Sequence, residues 1–145
     1  MLGSLIVLWL LVLWLIVPGG LVALPETIFH ILGVAILLVL GRQLPAMIGE
    51  MRDTKVTYIG WGLTAYCADV TRHMFGDLLF VAFLAFPPAS FLPILPLTAI
   101  EQAMYAVSSA LIGASALLAV KKAKLDVPIM RLKKQRKLAQ ANKFK

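Results

Sequence analysis

Charged residues divide the chain into long apolar runs. Residues 1–25, 27–41, 56–68, 78–100 and 102–120 carry no Asp, Glu, Lys or Arg. A helix needs about 20 apolar residues to cross a hydrocarbon core roughly 30 Å thick. The first run reaches that length alone, up to Pro18-Gly19-Gly20 or shortly after. It lacks the basic start of a secretory signal, and its apolar stretch is too long for one. An uncleaved first spanning helix is the expectation. The second run is stopped by Arg42. An arginine near a helix end can reach the headgroups, so a second span is predicted from about Pro25 to Gly41, with Pro45 bending the chain beyond it. "EMRDTK" is then a short polar loop.

Two arrangements compete over 56–100. In one, a single helix runs from Val56 to about Phe86, and "FPPASFLPILP", with four prolines in ten residues, is a turn. In the other, 56–75 lies on the membrane surface and 76–96 spans, against the prolines. Asp or Arg near a helix centre costs about 2.5–3.5 kcal/mol on the insertion scale, and each Leu, Ile, Phe or Val returns about 0.3–0.6. Asp69, Arg72 and Asp77 can thus consume the whole return of the long helix. It is tolerable only if those charges are paired or face a polar interior, and on that condition the long helix is predicted.

The last span is predicted over 97–120. Ser109 and Gly113 form a small-xxx-small pair, and Ala106, Ala110 and Ala114 repeat the spacing, which lets helix backbones approach closely. Outside the central segment every Lys and Arg lies in 42–55 or after Val120. Four spans place both basic regions on one side, the cytoplasmic side by the positive-inside rule. The expected fold is an all-α integral membrane protein with four transmembrane helices over 1–120, both termini cytoplasmic, the uncharged turn 86–96 outside, and a basic cytoplasmic tail over 121–145.

Composition agrees. Of 145 residues 61% are apolar and 14% charged, against about 45–50% and 25% for soluble domains. The single cysteine, Cys67, excludes an internal disulfide and a Cys-based zinc site. Net charge is +7, but ten of the fourteen Lys and Arg follow Val120, so the charge is a tail and not a nucleic-acid-binding face.

"CADVTRHMFGD", residues 67–77, interrupts the apolar pattern. On a helix, Asp69, His73 and Asp77 share a face at i, i+4, i+8, with Tyr66 on a neighbouring line, and Arg72 is i+3 from Asp69. Protonation of His73 would bring the segment to neutrality. Asp and His one turn apart suit copper, zinc or iron, which makes Asp69, His73 and Asp77 the candidate metal ligands. Chains of Asp, Glu and His also carry protons or ions through membranes. His73, with His30 on the second span, is the candidate axial pair for haem or chlorin. The structural reading is that Asp69, Arg72 and Glu101 pair charges between helices. Glu26 and Glu101 are expected near the outer helix ends. They either cap helix starts or join His30 and Asp77 in an outer-half cluster.

In the tail, Lys121, Lys122 and Lys124 form a stop-transfer cluster. Ile129, Leu132, Lys133, Lys134, Arg136, Lys137 and Leu138 suit a short basic helix on anionic headgroups or on an acidic partner face. Nucleophile-elbow, Walker, GxGxxG, HExxH and CxxCH patterns are absent from the sequence. The chain therefore reads as a small subunit of a larger membrane complex, of an energy-converting or oxidoreductase kind. Its partners would be other membrane subunits, and no catalytic activity or cofactor of its own is expected. The alternative is a homo-oligomer that handles metal, haem (copper or haem being the candidate cofactors) or protons through the Asp/His cluster. A phage-type pore former is a third reading.

Overall fold

The computed structural model describes residues 2–17, 21–51 and 53–123. Pro18-Gly19-Gly20 and the basic segment 124–145 lie outside the described residues. The described residues are helical, with no strand among them: α1 (Leu2–Ile16), α2 (Leu24–Leu40), α3 (Leu44–Glu50), α4 (Thr54–Leu84), a 3-10 turn (Pro88–Phe91) and α5 (Leu95–Lys122). A π segment over Ala110–Ala114 interrupts α5.

Local chemistry explains most boundaries. Pro25 and Pro45 sit in the first turns of α2 and α3, where a missing N–H costs nothing. The α4 start is capped by Asp53, whose Oδ1 accepts from the Lys55 N–H at 2.7 Å. Its end turns at Ala85 with φ 49°, the left-handed conformation common just past a helix end, and the Phe86 N–H donates back to the Phe80 carbonyl at 3.2 Å. The Phe80 and Phe86 rings pack over it, 6.2 Å apart. Pro87 and Pro88 come next, and the helix cannot resume. Residues 56–84 thus belong to one unbroken helix.

Among the described residues, only α5 is both long and apolar enough to cross a membrane by itself. Helices α2 and α3 pass together but are bent by 68° at their junction, and α1 is apolar but short.

Contacts between helix ends define an up-down-up-down bundle. At one end Ser4 of α1 lies beside Gly41 after α2, and Lys121 of α5 donates to the Met51 carbonyl, between α3 and α4, at 2.5 Å. At the other end Trp14, Ala23 and Phe91 pack together. Midway, α1, α2 and α4 meet through Val7, Leu11, Val34, Val70 and Met74. Gly33 is needed there, since a Cβ on it would lie 2.8 Å from Val70 Cγ1.

The small-residue face of α5 packs on α4. A Cβ on Gly62 would rest 3.6 Å from the Ala106 carbonyl and the Ala110 methyl, and one on Gly113 would come within 2.8 Å of the Trp61 ring. Polar side chains tie the helices further. Tyr58 Oη meets Ser115 Oγ at 2.6 Å, Tyr66 Oη donates to the Phe29 carbonyl at 3.2 Å, and Trp14 Nε1 donates to Thr27 Oγ1 at 3.0 Å.

Beside its apolar clusters the interior holds polar and charged side chains, and the exterior is apolar. Glu26, Thr27, His30, Thr57, Asp69 and Gln102 are each 2% exposed or less, whereas Ile16, Val39, Phe83 and Ile112 are over 70% exposed. Soluble domains show the reverse pattern for charged residues.

Candidate functional site

Two groups of ionisable side chains lie between the helices. The first is built on α4 and completed by α5. Arg72 Nε and Nη2 donate to Asp69 Oδ1 at 3.1 and 2.8 Å, and Nη2 also reaches Glu101 Oε1 at 2.8 Å. His73 Nε2 lies 3.2 Å from Arg72 Nη2, 3.6 Å from Asp69 Oδ2 and 3.8 Å from Glu101 Oε1. The Asp69 side chain is fully buried, whereas those of Arg72 and Glu101 are 61% and 49% exposed.

Asp69, His73 and Glu101 have the donor set of a metal site, with one ligand atom from each all within 4.8 Å of one another. The Arg72 guanidinium, however, sits where the cation would go. It touches all three residues and supplies the positive charge that the two carboxylates need. The trio fits a metal only if Arg72 moves away.

The second group is Glu26, His30 and Asp77. Asp77 turns from the Arg72 group to α2, where its Oδ2 lies 3.8 Å from His30 Nε2. The reason is helical phase. Steps of four residues advance about 40° each around a 3.6-residue helix, so Asp77 is rotated about 80° from Asp69. The expected Asp69–His73–Asp77 metal face therefore divides: Asp69 and His73 meet Glu101, and Asp77 meets His30. Glu26 occupies the first turn of α2, but its side chain is buried and not free in solvent. Glu101 lies beyond the first turn of α5 and bonds Arg72 instead of capping.

Hydrogen bonding separates the groups. Glu26 Oε2, Asp77 Oδ2 and both His30 ring nitrogens are buried with no hydrogen-bond partner among the described residues, as is Asp69 Oδ2 in the first group. The amide of Gln102 is in the same condition. Buried polar atoms are otherwise almost always paired, so this concentration between α2, α4 and α5 is unusual. His30 is also held edge-on to Trp14, with ring centroids 5.7 Å apart.

A cavity of about 420 Å³ joins the two groups. Glu26 and Asp77 contribute from one group, His73 and Glu101 from the other, and Phe80, Phe86 and Phe91 form much of the remaining wall. His30 does not line it, so the two histidines do not face one another across this space as axial ligands would. Sequence reading brought forward the ionisable members. It missed the three phenylalanines of the cavity wall and the buried Gln102 amide outside that wall, because aromatic rings and an amide inside uncharged runs carry no local signal of tertiary contact.

These features define a helical bundle whose interior mixes apolar clusters with buried, partly unpaired polar groups and whose exterior is apolar. No family model matches the chain, and no curated protein or solved structure matches it significantly.

Proposed function

We propose that the chain is a multi-pass membrane protein of four antiparallel spans, with both termini cytoplasmic, serving as a small non-catalytic subunit of a larger membrane complex. The observation that carries the subunit reading is the outward exposure of Arg72 and Glu101 on a surface that is mostly apolar, with Leu97, Ile100 and Met104 close by. Arg72 lies about 18 Å from the nearer end of α4 at 1.5 Å per residue. Charged groups at such depth face protein or water rather than lipid. A neighbouring membrane helix with polar side chains would cover this pair.

The membrane reading is supported by the apolar exterior and by the interhelical polar bonds, which are the usual cement of membrane bundles. Placing both termini inside draws on Arg42, Lys55, Lys121 and Lys122, which lie beside helix termini at the same end of the bundle. The metal-handling alternative has less support, because the metal-like trio already holds Arg72.

The decisive experiment is mild-detergent extraction, capture of the chain and native mass measurement. Stoichiometric foreign subunits are expected, with their loss in Glu101→Gln. A stable particle of this chain alone would overturn the reading. Topology is checked separately. Cys67 is buried, so Ala89→Cys should label only from outside and Ala123→Cys only from the cytoplasm.

A further inference from the structure

We propose that the cavity between α2, α4 and α5 is a binding site for a hydrophobic organic ammonium ion. The proposal goes beyond the subunit reading and does not depend on lateral assembly.

Three observations converge. Glu26 is 2% exposed, lines the cavity, and has Oε2 without a partner among the described residues. Asp77, 7% exposed, lines the same space and is likewise unpartnered at Oδ2. The rest of the lining is mainly apolar and includes Phe80, Phe86 and Phe91. The volume of about 420 Å³ falls within the range of small-molecule pockets, about 300–1,000 Å³.

Charge and shape select the ligand class. Three carboxyl groups line the space, Glu26, Asp77 and Glu101, and disfavour an anion. Arg72 is committed to Asp69 and Glu101, the His73 imidazole lies beside Glu101 at 3.8 Å, and His30 approaches Asp77 only at 3.8 Å. A bare hard cation needs six to eight oxygens, and beyond the carboxyl groups the wall offers Thr98, whose hydroxyl already donates to the Ile94 carbonyl at 3.3 Å. A proton would neutralise a carboxylate but leave the aromatic wall unused. An ammonium with apolar substituents uses both surfaces. Its charge would be met by Glu26 and Asp77 and its alkyl or aryl groups by the apolar and phenylalanine lining, where a ring within reach adds cation–π attraction to burial.

The test is titration of the purified full-length chain in maltoside detergent with benzyltrimethylammonium and with its neutral isostere neopentylbenzene. Saturable one-to-one binding of the cation is expected, at least about tenfold tighter than the isostere. Glu26→Gln and Asp77→Asn should each weaken the cation about tenfold and leave the isostere unchanged. Equal affinity for the two probes, no binding of the cation, or unchanged affinity in both variants would overturn the proposal. The comparison of the two probes on the native chain decides the matter even if a variant fails to fold. Added phosphatidylcholine distinguishes the sources of ligand. Displacement assigns the site to a choline headgroup, and persistence assigns it to a soluble ammonium. Assembly with foreign subunits is read by native mass, so failure here leaves the subunit proposal standing.

Discussion

The Arg72 group and the Glu26 group use the same residue types and differ in one respect, the presence of a fixed cation. Around Arg72, two carboxylates and an imidazole converge on a guanidinium within 3.2 Å. Beside Asp77 the basic atom is a histidine nitrogen at 3.8 Å, and one oxygen of each carboxyl group, Glu26 Oε2 and Asp77 Oδ2, lacks a hydrogen-bond partner among the described residues. A charge cluster with its own counter-ion is a structural clamp. One without it is prepared for something else. Residue types alone would make both groups equivalent functional candidates, and the hydrogen bonds tell them apart.

The comparison breaks most visibly at Arg72. Arg72→Leu leaves Asp69 buried without its guanidinium and with only the His73 imidazole nearby at 3.6 Å, and unfolding in detergent should show a loss of about 3–5 kcal/mol. The double variant Asp69→Asn, Arg72→Leu should recover much of that loss, since it removes the stranded charge together with its partner. Full additivity of the two single changes would show that Arg72 acts by packing and not by charge.

Arg72→Ala sharpens the comparison further by turning the clamp into a vacant donor set. Copper(II) or zinc(II) should then bind at Asp69, His73 and Glu101 and raise the melting temperature of this variant, with no such rise in the native chain. Binding to the native chain at the same trio, abolished by His73→Ala, would show that the guanidinium yields to metal.

Smaller effects are expected at the edges. Glu101 is half exposed and shares Arg72 with Asp69, so Glu101→Gln should lower the intrinsic stability of the isolated chain by only about 0.6 kcal/mol, the average for interhelical polar contacts in membranes. Asp77→Asn should change stability least. It removes a carboxyl group that has no hydrogen bond at Oδ2, and a change within about 0.5 kcal/mol in thermal melts is the expected outcome. A loss as large as that of Arg72→Leu would mean that Asp77 belongs to a clamp after all.

A parallel contrast separates the faces of the bundle. Gly33 and Gly113 are held tightly against Val70 and Trp61, whereas a Cβ on Gly76 would meet nothing within 4 Å. Gly113→Val should therefore destabilise by about 1–3 kcal/mol, measured by the same melts, and Gly76→Ala should not.

Much of the plan is legible in the sequence because it depends on local periodicity. The uncharged runs mark helices whose apolar side chains end outside. The prolines of 87–96 stop α4 and open α5, and Asp69 finds Arg72 because i+3 neighbours on one helix meet whatever the rest of the chain does. The middle of α4 is legible only in part. The cost of Asp69, Arg72 and Asp77 required either pairing or a polar interior, and the residues use both.

Tertiary structure alone decided which distant groups complete each cluster. Glu101 reaches Arg72 from 29 residues away, Asp77 turns to His30 on α2, and Gln102 and Phe91 are buried without a charge of their own to announce it. These outcomes depend on how each helix is rotated about its own axis and how closely its neighbour approaches. That is fixed by contacts such as Gly33 on Val70 and Gly113 on Trp61. The order of residues along one helix specifies its faces, but the facing partner comes from the packing of all of them together.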